Sequence, residues 1–258
     1  MLTTTVNEIV QMVQMWLWPF FRITGLLMTA PIIGTRSVPV RVRISIAVVI
    51  TMVIFPIIPP VPQIDPISLK GTLISIQQVI IGIGMGLSMR VIFIALELAG
   101  QAIGQLMGLM LASMVDPLNG NQVPIIGQFY LLLASLLFLV IDGHLMMISV
   151  LAESFTSMPI AATGLSKNGA WEVLIWTGRI INTAVVIALP ALVSLLIVNL
   201  SFGVMTRSAP SLNIFAVGFP VMIILGVIII FISLNSFIPH MMNMFEDGIS
   251  MMHKLVSI

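Results

Sequence analysis

Ionisable residues that interrupt apolar stretches are the residues of this sequence with the greatest capacity for chemistry. A charge in such a stretch is costly to bury and is usually paired or functional. Asp142 and His144 suggest proton relay in a transporter, but two residues apart on a helix they do not share a face. We therefore favour a structural or assembly role, with charges paired or placed at helix ends, for the whole set: Arg22, Arg90, Glu97, Asp142, His144, Glu153 and Arg179.

Sequence motifs of catalysis are absent. The chain contains no HExxH zinc motif, no GxSxG nucleophile elbow and no GxGD aspartyl motif. It has no cysteine, which excludes disulfides, thiol nucleophiles and cysteine-ligated metal centres. A lone histidine such as His144 is poor evidence for catalysis. The sequence therefore predicts a protein that is not an enzyme, with no cofactor and no metal site.

Glycines recur at every fourth position in the longest apolar stretch. They lie at Gly100, Gly104 and Gly108, and the same spacing occurs earlier at Gly82 and Gly86. This period places them on one face of a helix, where small residues let another backbone approach closely. The approaching helix could belong to this chain or to another subunit, and the sequence leaves both alternatives open.

A cluster of methionines directly precedes a polar segment. Met107, Met110 and Met114 lead into DPLNGNQVP at 116–124. Methionine is flexible and adapts to irregular apolar surfaces, so most methionines here serve as lipid-facing or core filler. This cluster differs because an apolar, deformable group beside an irregular loop could form a gasket or plug in a pore.

The composition shows what kind of element must position these residues. Hydrophobic residues make up 59% of the 258 positions, charged residues only 7%, and the mean hydropathy is +1.19. Soluble domains carry about 25% charged residues, so most of this chain's exterior must face lipid or apolar protein. The net charge of +1 argues against nucleic-acid binding, which needs a basic face.

The apolar runs are long enough to cross a membrane, which takes roughly 20 residues per helix. No strand-like alternation is present. The sequence predicts an all-α integral membrane protein of long hydrophobic helical hairpins, with six or seven hydrophobic helices. The predicted segments are 9–33, 44–58, 69–115 (enough for two spans), 128–150, 171–205 and 215–238, followed by an amphipathic tail over 240–258.

Positive charge is concentrated between the first two segments, at Arg36, Arg41 and Arg43. Cytoplasmic loops of membrane proteins carry an excess of Lys and Arg, which suggests that this loop is cytoplasmic. The other short loops hold one or two basic residues each, too few to set the orientation.

Four blocks of the sequence resemble a known family, the FliR/SctT subunits of bacterial type III export gates. The resemblance covers nearly the whole chain, and the blocks occur in the family's order. They are PFFRITGLLMTAPIIGTRSVPVRVRISIAV at 19–48, GQAIGQLMGLMLASMVDP at 100–117, DGHLMMISVLAESFTSMPI at 142–160 and APSLNIFAVGFPVMI at 209–223.

The resemblance implies a role, partners and a location. Members of this family assemble with FliP and FliQ subunits into a gate that passes unfolded flagellar proteins, and they contact FlhB and work near FlhA. The expected location is the inner membrane at the flagellar basal body, with part of the assembly lifted toward the periplasm. The family also implies a FliP-like part over 1–165 and a FliQ-like part over 166–258.

The resemblance also assigns roles to particular residues. A loop over 110–120 would project into the channel and help close it, with Met110, Leu111, Met114, Val115, Asp116 and Pro117 as the plug. Independently of the resemblance, the spacing of Gly100, Gly104 and Gly108 and the cost of the Arg22 charge in an apolar segment predict roles in helix packing and assembly. Two alternatives stay open: an injectisome subunit of the same family, which neighbouring genes would distinguish, and a stand-alone secondary transporter, which would act without partners.

Overall fold

Long apolar stretches with few helix-breaking residues become long helices in this protein. The computed structural model describes residues 2–62, 64–109, 125–161, 167–208 and 214–257. Every regular element within these residues is helical, which confirms the predicted all-α class. The helices are α1 (Leu2–Thr29), α2 (Val40–Ile54) with a short 3-10 turn at Phe55–Ile57, α3 (Leu69–Leu106), α4 (Ile125–Val140), α5 (Gly143–Ser157), α6 (Lys167–Gly178), α7 (Ile180–Ser208) and α8 (Ile214–Val256).

The described residues contain fewer candidate membrane spans than the six or seven hydrophobic helices that the sequence predicted. Four segments within the described ranges are long and apolar enough to cross a membrane, or five if the bent pair α4 and α5 forms one span. The count of six or seven hydrophobic helices is therefore not confirmed. The four segments are Val40–Ile57, Leu69–Leu106, Asn168–Met205 and Gly218–Val256.

Helix α3 corrects the expectation of two spans within 69–115. It runs unbroken for 38 residues, and no proline or polar turn interrupts it. At 1.5 Å per residue it is about 57 Å long, whereas the hydrocarbon core of a bilayer is about 30 Å thick. Of an 18-residue apolar window within it, 67% is buried inside the protein, so this part of α3 is covered mainly by the protein's own chain.

Helix α8 joins two elements that the sequence separated. It continues for 43 residues through Pro220 and Pro239, whereas the last span was expected to end at 238. A proline within a helix removes one hydrogen bond and favours a kink without requiring the helix to stop. The predicted apolar stripe of the tail is buried, and its members are Met241, Phe245, Ile249, Met252 and Val256.

The predicted segment 128–150 is broken in the middle. Helix α4 ends at Val140, α5 begins at Gly143, and the two axes differ by 64°. Asp142 lies between them with a φ of 55°, in the left-handed region that aspartate tolerates better than most residues. A Cβ atom on Gly143 would overlap the ring of Phe138, so the bend requires glycine there. Asp142 is thus exposed at a helix end. The structural interpretation, which we favoured over a proton relay, predicted such a position.

The chain forms two compact units. Unit 1 comprises Met1–Val91, Phe138–Gly178 and Phe245–Ile258, and unit 2 comprises Ile92–Leu137 and Arg179–Met244. Unit 1 therefore contains α1, α2, the first part of α3, α5, α6 and the end of α8. Its core includes Trp18, Ile23, Met85, Met89 and Leu151, all essentially inaccessible to solvent.

Candidate assembly site

Arg22 lies on α1 in the core of unit 1, and its side chain is 0% exposed. Its Nε donates a hydrogen bond to Oε1 of Gln78 on α3 at 2.8 Å. Its Nη1 donates to the carbonyl and hydroxyl oxygens of Ser154 at 2.8 and 3.0 Å, and Nη2 donates to the Met158 carbonyl at 2.9 Å. One guanidinium therefore joins α1, α3 and the end of α5.

The charge of Arg22 is balanced by a helix end. Ser154 is in the last turn of α5, and its carbonyl accepts from the Met158 amide as well as from Arg22. The Met158 carbonyl, directly after α5, lies where helix carbonyls lack intrahelical partners. The negative end of the helix dipole also favours a cation there. The guanidinium carbon lies 4.5 Å from the centre of the Phe155 ring, within range of a cation–π contact. Among the described residues, no carboxylate lies within 4 Å of it.

Glycines let α1 and α3 approach closely enough to place Arg22. A Cβ atom on Gly25 would lie 2.5 Å from the carbonyl oxygen of Val79. A Cβ atom on Gly82 would overlap the carbonyl oxygen of Arg22 itself, and one on Gly86 would overlap the Thr29 hydroxyl. The glycine spacing noted at 82 and 86 therefore serves backbone contact within this chain.

Gly100 makes a second close approach, in unit 2. A Cβ atom at this position would lie 2.7 Å from both the Cα of Gly127 and the carbonyl oxygen of Ile126, on α4. Contacts that close do not occur in real structures, so only glycine allows α3 and α4 to pack this way. Gly100 packs within the chain, and a role between subunits stays a prediction.

The other two glycines of the series have different surroundings. A Cβ atom on Gly104 would lie 3.5 Å from the Ile126 side chain, an ordinary van der Waals contact. Gly108 follows the end of α3 with a φ of +78°, and a Cβ atom there would lie 3.1 Å from the ring of Phe219. The three glycines are therefore not equivalent: close backbone packing requires Gly100, and backbone conformation requires Gly108.

Two surface ion pairs connect the end of α8 to α5 and α6. His253 Nδ1 lies 3.5 Å from a carboxylate oxygen of Glu153, and Lys254 Nζ lies 3.0 Å from Glu172. Both pairs are substantially exposed, and such pairs contribute at most about 1 kcal/mol. Glu153 is thus paired, one of the alternatives that the sequence offered for the charges in apolar stretches.

The plug residues fall outside the described ranges. This applies to Met110, Leu111, Met114, Val115, Asp116 and Pro117, so their placement stays a prediction. Within the described ranges, no group of three His, Cys, Asp or Glu residues could hold a metal ion.

Sequence reasoning missed the partners of Arg22. Gln78, Ser154, Phe155 and Met158 were not identified as site residues, although the last three lie in the block DGHLMMISVLAESFTSMPI. The sequence did carry a signal for these partners, because a Ser-Phe pair occurs close to a helix-ending proline in a block that resembles a known family.

The chain is similar over nearly its whole length to known proteins. It matches the family described as bacterial export proteins, family 1, over residues 13–248. It is 38% identical over 248 residues to the flagellar biosynthetic protein FliR of Pectobacterium carotovorum subsp. carotovorum, covering 96% of this chain and 94% of that protein. Identity to FliR of Escherichia coli strain K12 is 34% over 258 residues, covering 100% and 98%. Identity to FliR of Bacillus subtilis strain 168 is 27% over 256 residues, covering 98% of each.

Replacing Arg22 with leucine should destabilise unit 1. The substitution leaves the acceptors on Gln78 and Ser154 buried without their donor, and each such group costs about 1–3 kcal/mol. We expect a loss of several kcal/mol, together with unchanged or better membrane insertion because a charge is removed. Thermal unfolding of the purified protein in detergent and the yield of inserted protein measure the two effects separately.

Arg207 supplies the matched control, because it is an exposed arginine on α7. Arg207→Leu should leave the unfolding temperature close to that of the wild type. Arg22→Lys should be nearly as harmful as Arg22→Leu, because a single ammonium group cannot reproduce the planar arrangement of guanidinium donors. Wild-type stability of Arg22→Leu would show that the guanidinium network contributes nothing.

Gly100 and Gly104 should respond differently to alanine. Gly100→Ala introduces a backbone clash that typically costs about 1–3 kcal/mol. Gly104→Ala meets only ordinary contacts and gains up to about 1 kcal/mol of helix propensity. The unfolding temperature should fall for the first variant and hold or rise for the second. Equal effects would contradict the close approach of α3 and α4.

Proposed function

The chain belongs to family 1 of the bacterial export proteins, and from that premise we propose that it is a channel subunit of the flagellar type III export gate. It is a membrane-embedded subunit of the flagellar export apparatus, a structural component. In the proposed role it assembles with FliP and FliQ subunits, and unfolded flagellar proteins pass through the shared channel. The observation that carries this proposal is the similarity to FliR proteins over almost the full length of both chains.

The distribution of apolar surface supports assembly with partners. In the segment Val40–Ile57 only 17% of residues are buried within the chain, and in an 18-residue apolar window of each of Asn168–Met205 and Gly218–Val256 the share is 22%. Soluble monomers rarely expose contiguous apolar patches of this extent. Lipid and neighbouring subunits must cover these faces. We propose FliP, FliQ and FlhB as direct neighbours, with FlhA nearby.

The internal division of the chain is also part of the proposal. We assign 1–165 as a FliP-like part and 166–258 as a FliQ-like part, each resembling the separate subunit beside which it would pack. Gly104, Gly108 and the surface around the Arg22 network are candidates for contact with these neighbours. The two compact units are defined by contacts within the chain, whereas the FliP-like and FliQ-like parts are defined by resemblance to separate subunits. The units therefore do not test this division.

The channel itself would be closed by the loop at 110–120. Asp116 precedes Pro117, which disfavours helical dihedrals at Asp116, so a helix should end there. Irregular backbone at membrane depth is tolerated where it is buried in protein or lines an aqueous cavity. Apolar side chains at a constriction exclude water and ions, and methionine can bend aside for a passing chain.

Two other roles compete with this proposal. An injectisome subunit of the same family would use the same fold, but the relatives described above carry flagellar names. A stand-alone transporter would need a polar pathway of its own, whereas Arg22 and Glu153 bond within the chain and Asp142 is at an exposed helix end. Flagellar FliP, FliQ and FlhB genes beside this gene would favour the proposed role.

Co-expression tests the assembly directly. A tagged copy of this chain, expressed with the FliP and FliQ subunits of the same organism, should co-purify with both in one complex by native mass measurement. The same gene should restore swimming to a strain that lacks it. Elution of the chain alone, with substrate transport in vesicles that lack other subunits, would favour the transporter instead.

Deletion of 110–120 tests the plug. The assembly should stay intact, because packing is provided by the helices, but ions and small solutes should leak through it. Replacing Leu111 and Met114 with glycine should have the same effect, and Asp116→Ala should be milder because the seal is attributed to apolar groups. Membrane conductance and growth sensitivity report the leak.

Co-purification with FliP and FliQ serves as the folding control for each of these variants. A complex of normal composition that remains fully sealed after the deletion would rule out 110–120 as the plug.

A further inference from the structure

Positive charge is uncompensated over a long part of the sequence. Between Glu8 and Asp65 the chain has four arginines and no acidic residue. One of them, Arg22, is buried and bonded within unit 1. The other three, Arg36, Arg41 and Arg43, lie within eight positions of one another. No carboxylate among the described residues lies within 4 Å of any of the three.

The backbone brings these three arginines together at the start of α2. The Val38 amide donates to the Thr35 carbonyl at 3.2 Å, closing a turn with exposed Arg36 as its second residue. The Arg43 guanidinium donates through Nη2 to the same Thr35 carbonyl. This hydrogen bond connects Arg43, in the first turns of α2, to Thr35, the residue directly before Arg36. Its Nε is buried and has no acceptor among the described residues.

The arginines lie near the N-terminus of α2, where the helix dipole disfavours positive charge. The positive end of a helix dipole is at its N-terminus, so cations there are destabilising and anions are stabilising. Helix α2 has no acidic residue in its first turn and no side-chain cap after Pro39. An anion bound at this end would therefore be attracted by the helix end as well as by the guanidinium groups.

Apolar residues alternate with the arginines in sequence at the start of α2, and they are exposed. Val40 is 60% exposed, and Val42 and Ile44 are 45% and 44% exposed, on either side of Arg41 and Arg43. The rest of α2 continues as an exposed apolar helix. A ligand that fits this surface is an amphiphile, with an anionic group at the arginines and hydrocarbon along the valines. An acidic protein segment would match only the charges.

We propose that Arg36, Arg41 and Arg43, with the apolar start of α2, bind the headgroup phosphate of an anionic phospholipid. The guanidinium groups contact the phosphate oxygens at the membrane–water interface, and the acyl chains lie along α2. The site would anchor unit 1 at a defined depth in the bilayer. The inference does not depend on the channel role, because it concerns the surface of this chain alone.

Lipid titration of the purified full-length chain tests the site. Native mass spectrometry in detergent would follow the binding of dioleoyl phosphatidylglycerol and of dioleoyl phosphatidylcholine, which differ in charge but not in acyl chains. Each basic residue near an anionic surface contributes about 5-fold to binding. Arg36→Gln with Arg41→Gln should therefore weaken phosphatidylglycerol binding roughly 30-fold and leave phosphatidylcholine binding unchanged. Arg43 is retained so that its bond to Thr35 still holds the loop.

Matched variants separate this site from general charge. Lys70→Gln with Arg207→Gln removes two exposed cations elsewhere on the chain and should leave the lipid preference intact. Arg36→Lys with Arg41→Lys keeps the charge and should retain most of the binding. An unchanged preference in the double glutamine variant, or an equal loss in the Lys70 and Arg207 control, would overturn the proposal.

Two further outcomes would exclude the lipid as the ligand. Inorganic phosphate at matched ionic strength should not displace phosphatidylglycerol, and displacement would show a site for free phosphate. If the double glutamine variant kept its lipid preference but lost its co-purifying subunits, the arginines would bind protein. Folding of every variant is checked by its unfolding temperature.

Discussion

A guanidinium can remain inside an apolar helical protein only if acceptors surround it, and that requirement organises unit 1. Burying a charge without partners costs far more than the few kcal/mol by which a folded domain is stable. Arg22 must therefore find several oxygens that are fixed in space. It takes one from a side chain of α3 and three from the end of α5. The three helices cannot move apart without exposing both the charge and its acceptors to hydrocarbon.

The break at Asp142 is what makes one of those acceptor groups available. Because the chain breaks at Asp142, α5 starts as a helix of its own within unit 1. The carbonyls of Ser154, in the last turn of α5, and of Met158, directly after it, both accept from Arg22, and the Ser154 carbonyl also accepts from the Met158 amide. A left-handed residue followed by Gly143 produces the bend. The local backbone at Asp142 thus determines where α5 begins. The end of that helix neutralises the charge of Arg22, although Ser154 lies 132 positions after Arg22 in sequence.

The sequence predicted the class of the fold and the need for partners at Arg22, but not which partners. Composition alone requires helices in an apolar environment, and every regular element among the described residues is helical. Two of the acceptors of Arg22 are backbone carbonyls, which every residue has, so no residue type marks them. The expected end of the last span at 238 was wrong, because proline at 239 favours a kink but does not dictate a helix end. The break at Asp142 was missed although Asp-Gly, at 142–143, is a dipeptide typical of turns.

The length of each helix decides what can cover its exposed face. Helix α3, at about 57 Å, is longer than a bilayer core, and 67% of an 18-residue apolar window within it is buried by the chain itself. The segment Val40–Ile57 has 18 residues and would span about 27 Å, close to the roughly 30 Å of a hydrocarbon core. Only 17% of it is buried within the chain. Its length therefore matches a lipid environment, and the proposed lipid site places the arginines at its start among the headgroup phosphates. The segment Gly218–Val256, at 39 residues, is about 58 Å long. Its end belongs to unit 1 from Phe245 onward, and Phe245, Ile249, Met252 and Val256 are buried there, so the exposed apolar part is shorter than the whole segment.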